Sequence, residues 1–459
     1  MRRLGAHLAL ACGLGRGLSF ALALAPALAI LVGLVEARAD EGPEVPQAPA
    51  LPSLLTLDEA LRIFHERSLD LLIAEANVMT ARGDVLSAGQ VYNPNFSFGV
   101  GPAFNYNPNV PGCSGCQNFA AQWALSDNGA LMDIVVGKRG LRIRGSRALL
   151  EAARMTRVDA ERVFTAQLKQ NYMQIVLARA SLDFALEVQT TMTATLNLNK
   201  VRYPGVIDEG ALARIEVQKL EADQAVEQAR QVLRQAQVSL AFLLGIRELP
   251  PDFEVEKKLL RFEVPRALDR ATERDLLDRA FEQRADLRAV KAQRDAAQAA
   301  LVLARRQLMP DVQLQVAYTQ LGVGQNVGQP MNAVFGLSFN LPIFYQQQGE
   351  IRHAQGGLAS QELQVAKGAA QVVNDIDSAY AAYVAQREIV VRMEKTLLGR
   401  AKVARDILDF QYKKGAATLM DFLDAQRTYI AINVEYFTDL ANYWTAVYQL
   451  EQAVGGGLL

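Results

Sequence analysis

Two stretches decide how this chain is read: Pro310-Asp311-Val312-Gln313-Leu314-Gln315-Val316-Ala317-Tyr318 and Phe335-Gly336-Leu337-Ser338-Phe339-Asn340-Leu341. Both alternate with a period of two, the side-chain repeat of a β-strand. Val312, Leu314, Val316 and Tyr318 share one face, with Gln313, Gln315 and Ala317 on the other. Phe335, Leu337, Phe339 and Leu341 likewise alternate with Gly336, Ser338 and Asn340. Phe96, Phe98 and Val100 come after Pro94 in the same manner, and a poorer strand is expected over residues 119–136. An apolar face backed by small or polar residues suits a half-buried soluble sheet. It equally suits a barrel wall with lipid outside and water inside.

The segments around these strands are helical and long. No Gly or Pro interrupts residues 146–203 or 211–244, and Tyr203-Pro204-Gly205 begins the break between them. In the second half, Lys413-Lys414-Gly415 separates residues 361–412 from 416–454. A helix of about 60 residues rises about 90 Å, beyond the reach of an ordinary globular core. Leu212, Ile215, Lys219, Ala222, Val226, Ala229, Leu233, Ala236, Leu240 and Leu243 recur in steps of three and four. So do Met420, Leu423, Arg427, Ile430, Val434, Phe437, Ala441, Trp444 and Tyr448. Heptads sustained in this way are coiled-coil seams.

The chain also repeats itself. The segment that opens with Thr56-Leu57-Asp58-Glu59-Ala60-Leu61 and runs to Pro94 aligns without a gap to residues 272–310. Leu61 falls on Leu277, Glu66 on Glu282, Asp70 on Asp286, Ala88 on Ala304 and Pro94 on Pro310. The expected organisation is a first repeat over 56–245, with strands at about 94–104 and 119–136 and a coiled-coil hairpin over 139–245. An inter-repeat segment covers 246–271. A second repeat covers 272–455, with strands at about 311–321 and 333–342 and a hairpin over 348–454. A shared order of elements is a stronger sign of duplication than the few identities.

Composition bounds the function. Of 459 residues, 50% are hydrophobic and 21% charged, with 48 Lys+Arg against 49 Asp+Glu. That balance lacks the basic excess of a nucleic-acid binder. Three Cys and three His argue against a metalloenzyme or a disulfide-dense scaffold. No Gly-rich phosphate loop and no nucleophile–base–acid set is found, so no catalytic residue, cofactor or metal is expected. Residues 1–39 read as a signal peptide, with charged Arg2 and Arg3, a Leu/Ala-rich core and Ala37-Arg38-Ala39 as the cleavage pattern. A Pro-rich leader comes next, over 40–55. No later stretch is an apolar span of about 20 residues, so a membrane seat would have to be a β-barrel.

The signal peptide and the helix lengths favour the barrel over the soluble sheet. Single-chain bacterial barrels start at about 8 strands, so a chain supplying four must share its barrel. Three copies give twelve strands, and their hairpins a hollow α-helical tube. The fold class expected is therefore mainly α with a membrane β-barrel part. The reading of another class is a periplasmic coiled-coil protein that binds partners and conducts nothing.

The duplicated plan, Leu341-Pro342-Ile343-Phe344 between strand and helix, and Tyr412-x-x-Gly415 with Asp421-Phe422-Leu423-Asp424-Ala425 after it resemble the TolC-like outer-membrane efflux channel family. The resemblance covers nearly the whole mature chain. It implies a homotrimer with a twelve-stranded barrel in outer-membrane lipid and a periplasmic helical tunnel. It also implies a periplasmic adaptor, an inner-membrane pump of the RND type, and export of small molecules or ions without nucleic-acid contact. Gly137-Lys138-Arg139 and Arg214-Ile215-Glu216-Val217-Gln218 look like the heavy-metal (cobalt-zinc-cadmium) branch. Tyr412 matches the family's gating tyrosine, Asp421 and Asp424 its aperture aspartates, and Thr418 a tip threonine. Glu216 stands where the first repeat carries an acid. Ala417 departs from an arginine that helps to hold the aperture shut.

Spacing alone supports two readings of these acids. Asp421 and Asp424 sit at i,i+3 beyond a turn, on one helix face. Three copies would line a constriction with carboxylates and attract cations. A solvated acidic first turn would serve the helix dipole equally well. Gly210, Ala211, Leu212 and Gly415, Ala416, Thr418 form expected tips, as turns with a Gly αL cap or as adaptor-docking points. Cys113 and Cys116 are expected to close a small loop disulfide. His65, His353 and the basic run 138–147 are expected to be solvated.

Overall fold

The computed structural model describes residues 51–102, 119–205, 207–256, 261–321 and 332–458. The leader to residue 50 and the Cys113/Cys116 pair lie outside the described residues. The chain divides into two compact units, one holding Ser87–Ile143 and Val302–Ile351, the other Pro43–Leu86, Arg144–Leu301 and Arg352–Leu459.

The second unit is helical. Strand β1 (Leu54–Leu55) pairs in parallel with β4 (Glu254–Val255), so the start of the described chain lies beside the inter-repeat segment. The Tyr172 hydroxyl joins them, donating to the Leu55 carbonyl at 2.9 Å and accepting from the Glu256 N–H at 3.2 Å. Burial raises the pKa of this phenol to about 12, despite the Glu256 N–H, so it stays a donor at any physiological pH.

Helices α1 (Leu57–Arg67) and α2 (Leu69–Gly89) open the first half, and α6 (Glu273–Gln283) and α7 (Ala285–Arg306) the second. Thr56 and Thr272 are the N-caps of α1 and α6; each hydroxyl accepts the N–H three residues on. Asp275 closes a capping box with Thr272.

The long helices are α4 (Lys138–Arg202), α5 (Glu209–Leu243), α8 (Gln348–Arg392), α9 (Leu398–Lys413) and α10 (Leu419–Val454). A π-helical turn, Met393–Leu397, joins α8 to α9. On α5, the seam residues Ile215, Ala222, Val226, Leu240 and Leu243 are buried. On α10, the seam buries Leu423, Ala441, Trp444 and Tyr448 but leaves Met420 and Val434 about half exposed. Phe184, Val188 and Met192 of α4 meet Ala222 of α5 and Ile430 and Phe437 of α10 in one cluster. The main core gathers Phe64, Leu168, Leu240, Leu276, Val372, Ile376 and Tyr443. Gly245 ends α5 at φ +80°, where a Cβ would stand 2.8 Å from the Arg67 carbonyl oxygen, so only glycine fits.

The first unit holds a four-stranded antiparallel sheet, ordered β2 (Asn95–Pro102), β3 (Phe119–Ser126), β5 (Val312–Leu321) and β6 (Asn332–Phe339). Register places Phe96, Leu125, Val316 and Phe335 opposite one another, and likewise Phe98, Trp123 and Tyr318. Over these positions one face is therefore apolar, and Trp123 stacks on Tyr318 with ring centres 5.7 Å apart. The other face carries Ser97, Gly99, Gln122, Gln313, Gln315, Gly336 and Ser338. None of the four strands contains a charged residue.

The strand expected over 119–136 is half that length. It stops at Ser126, and Ala130–Val135 form a short helix, α3. The reason is Asp127-Asn128-Gly129. Asn128 and Gly129 take positive φ, and the Asp127 carboxylate accepts from the Gly129, Leu131 and Leu314 N–H groups. That Asx turn ends the strand and starts the helix.

The basic run is also less solvated than expected. Lys138 is 5% exposed and donates to Asp311 at 2.7 Å and to the Met309 carbonyl. Arg139 donates twice to the Gly89 carbonyl, and Arg142 grips Asp133 with two bonds of 2.6 and 2.7 Å. Of the run's basic residues, only Arg144 and Arg147 are exposed. His65 and His353 are exposed, His65 lying 3.6 Å from Glu161.

Candidate functional site

The two helix–helix turns at 203–208 and 414–418 carry the candidate site. The second is a glycine-capped end: Gly415 takes φ +79°, and the N–H groups of Gly415 and Ala416 return to the carbonyls of Tyr412 and Gln411. Thr418 then caps α10. Its hydroxyl accepts the Asp421 N–H, while the Asp421 carboxylate accepts from the Thr418 N–H at 3.2 Å and its O–H at 2.6 Å. The first turn is built differently from expectation. Gly210 lies inside α5, not at a left-handed cap, because Asp208 is the N-cap and accepts the Ala211 N–H at 2.6 Å. An Asp N-cap satisfies the orphan amides and leaves no positive φ for a glycine to fill.

Tyr412 is buried between the hairpins. Its hydroxyl donates to the Asn199 side-chain oxygen at 2.6 Å, and its ring stacks on Phe422 at 5.0 Å and 11°. Asn199 is fully buried and donates from its amide nitrogen to the Thr195 carbonyl. The Arg202 guanidinium sits 5.5 Å over the Tyr412 ring and reaches the Lys413 carbonyl at 3.3 Å. Ala417 packs against the Tyr412, Phe422 and Leu423 cluster. The position thus contributes apolar packing, and a cation over the Tyr412 ring comes from Arg202 on the other hairpin.

Asn199, Arg202 and Phe422 escaped the sequence reading. Asn199 had a legible signal: with Val188, Met192 and Leu196, all buried, it occupies the α4 seam. A lone Asn on an apolar seam is a register-setting device.

The acids divide. Asp421, Asp424 and Glu216 are all exposed. Asp424 lines a groove of about 350 Å³ between α5 and α10, together with Arg214, Glu221, Met420 and Arg427. Arg214 donates to the Met420 sulfur at 3.2 Å. Asp421 and Glu216 do not line that groove. Within one chain the groove therefore balances two acids with two arginines, whereas Asp421 and Glu216 stand clear of it. Among the described residues no group of three or more His, Cys, Asp or Glu could hold a metal ion, and no helix is long and apolar enough to cross a membrane.

Comparison with known proteins bears on the family likeness and the fold. Residues 276–456 match the model of the family described as outer membrane efflux protein. The chain is 22% identical over 434 residues to the cobalt-zinc-cadmium resistance protein CzcC of Cupriavidus metallidurans, covering 91% of this chain and 95% of that one. Among solved structures, CusC superposes with a TM-score of 0.71 at 18% identity, covering 87% of this chain and 92% of that one. The open-state MtrE outer membrane channel of Neisseria gonorrhoeae gives 0.71 at 19%, covering 91% and 97%. VceC of Vibrio cholerae gives 0.70 at 18%, covering 88% and 97%. The resemblance to outer-membrane efflux channels read from the sequence is thus shown, and the fold is theirs.

Proposed function

We propose that this protein is the outer-membrane exit duct of a tripartite exporter, conducting substrate passively from an inner-membrane pump and periplasmic adaptor to the outside. One observation carries the reading: an uncharged sheet with an apolar face, a small polar face and two strands, β2 and β6, paired on one side only. A long apolar edge strand demands a partner strand, and a closed barrel is the arrangement that leaves none open. Three copies close twelve strands, with the Gln and Ser face inward and the Phe and Leu face to lipid. The similarity to a cobalt-zinc-cadmium resistance protein supports divalent metal cations as the cargo, delivered by a pump of the RND type. The mass of the mature protein purified from outer membranes in mild detergent, corrected for bound detergent, tests this directly. Three chains are expected; one or two would remove the shared barrel and leave a coiled-coil scaffold.

Tyr412 and Asn199 then form the latch of the gate. Opening moves the second hairpin's tip away from the first, and their hydrogen bond must break. Tyr412→Phe leaves the buried Asn199 oxygen without that donor and removes about 1 kcal/mol from the closed state, a shift of about fivefold toward open channels. Single-channel recording checks it: open probability is expected to rise while open conductance is unchanged. An unchanged open probability would make the bond a packing feature only.

A further inference from the structure

Ten methionines occur in the chain, and exposure divides them. Among the described residues, Met173, Met192 and Met393 are buried, whereas Met309 and Met420 are about half exposed. The sulfur of Met420 is met from another helix. The Arg214 guanidinium of α5 donates to the Met420 Sδ of α10 at 3.2 Å. A thioether is a weak acceptor, so the contact contributes little as it stands.

Both partners are held in place. Met420 lies in the first turn of α10, fixed by the Thr418–Asp421 capping box, and Arg214 lies near the start of α5, capped by Asp208. Ile215 and Leu423, both buried, anchor the same two helix starts. Arg214 and Met420 line one groove together with Asp424 and Arg427. The two hairpins are thus joined here by a contact whose strength depends on the oxidation state of one atom.

We propose that Met420 is a redox-modification site, converted by hydrogen peroxide to the sulfoxide, and that the sulfoxide oxygen clamps α5 to α10 through Arg214. A sulfur lone pair attacks one peroxide oxygen, the O–O bond breaks and an S–O bond forms. The other oxygen leaves as water, carrying both peroxide protons; the sulfur is oxidised and the peroxide reduced. Half exposed, the sulfur is open to peroxide. The polar S–O oxygen accepts from a guanidinium far better than the thioether does. A dithiol reductant reverses the step: the thiols close to a disulfide and the oxygen leaves as water. A clamp between the hairpins favours the closed gate. That consequence rests on the duct reading above; the modification itself does not.

The experiment treats the mature protein in mild detergent with hydrogen peroxide and reads it by peptide mass spectrometry and amide hydrogen exchange. Sulfoxide at Met420 and Met309 is expected to form about tenfold faster than at Met173, Met192 and Met393. Exchange over residues 209–217 and 417–424 should then slow about fivefold, the scale of one hydrogen bond to a charged group at the surface. Met420→Leu should abolish the slowing. Arg214→Ala should abolish it too, although sulfoxide still forms at Met420. Met420→Gln, which carries an amide oxygen, should slow exchange without peroxide. Oxidation of Met420 no faster than that of the buried methionines would overturn the site, and equal slowing with and without Arg214 would overturn the clamp. In planar bilayers, peroxide should lower the open probability about fivefold in the wild type and leave Met420→Leu unchanged. A protein that conducts nothing before peroxide would overturn the duct reading, while hydrogen exchange still decides the clamp.

Discussion

Replacing Arg284 with alanine is expected to lower the stability of the helical unit by about 2 kcal/mol, because it strands two partly buried carboxylates that it holds by charged hydrogen bonds. The Arg284 side chain is 3% exposed and holds Asp286 at 2.5 and 3.1 Å, Asp375 at 2.7 Å and the Ala453 carbonyl at 3.4 Å. It does so at the C-terminal end of α10, whose last turn contains no cation of its own. Arg162 supplies a second one, bonding the Gln452 carbonyl, and Lys169 neutralises the buried Glu451 at 2.6 Å. Three cations from outside α10 therefore dock its end, meeting carbonyls of its last turn and its dipole. Thermal unfolding in mild detergent reads the loss. Adding Asp286→Asn and Asp375→Asn to Arg284→Leu should recover most of it, because the penalty comes from the carboxylates left behind.

The same cluster predicts an acid dependence. Burial raises the Asp286 pKa, but the hydrogen bonds and charge of Arg284, with the charge of Arg162, outweigh it, and the net shift is downward. A carboxyl with a depressed folded pKa stabilises fully above its unfolded value, about 3.9, and loses that contribution as pH falls through the folded value. The wild-type melting temperature should therefore fall below about pH 4. The gap between it and Arg284→Ala should narrow over the same range. A constant gap would mean that Arg284 acts through packing alone.

The second large effect is electrical. Asp421→Asn combined with Asp424→Asn is expected to weaken cation preference and block by divalent ions in planar bilayers, because in the proposed trimer these carboxylates would ring the constriction. Asparagine is the informative substitution at 421. It retains an acceptor for the Thr418 N–H and O–H, so the capping box survives while the charge goes. Alanine there would also unmake the cap, at about 1 kcal/mol. Arg214 and Arg427 share the Asp424 groove, so Arg427→Gln should move selectivity the opposite way. Unchanged ion selectivity in the double variant would reduce both acids to the ends of a helix.

Much of this was legible in the residues themselves. The alternation at Val312–Tyr318 and Phe335–Phe339, the uninterrupted helical runs and the seam on α5 all arise from side-chain periods of two and three-and-a-half. Those periods survive any rearrangement of the rest. The tip turn at Gly415 was legible as well, because only glycine takes its left-handed backbone without strain. Asp127-Asn128-Gly129 was equally plain as turn chemistry, yet the apolar residues beyond it read as more strand. Local hydrophobicity cannot separate a short helix from a strand end.

Residue order thus set the elements and their faces: two-sided strands, seamed helices and capped ends, each dictated by bonds and contacts within a few residues. Who meets whom across the chain came from the folded arrangement alone. Tyr412 meets Asn199 over 213 positions, Lys169 meets Glu451 over 282, and Lys138 meets Asp311 over 173. A buried polar group must find a partner, but its sequence neighbourhood carries no record of which one. The choice is made by the packing of the hairpins and the pairing of the strands.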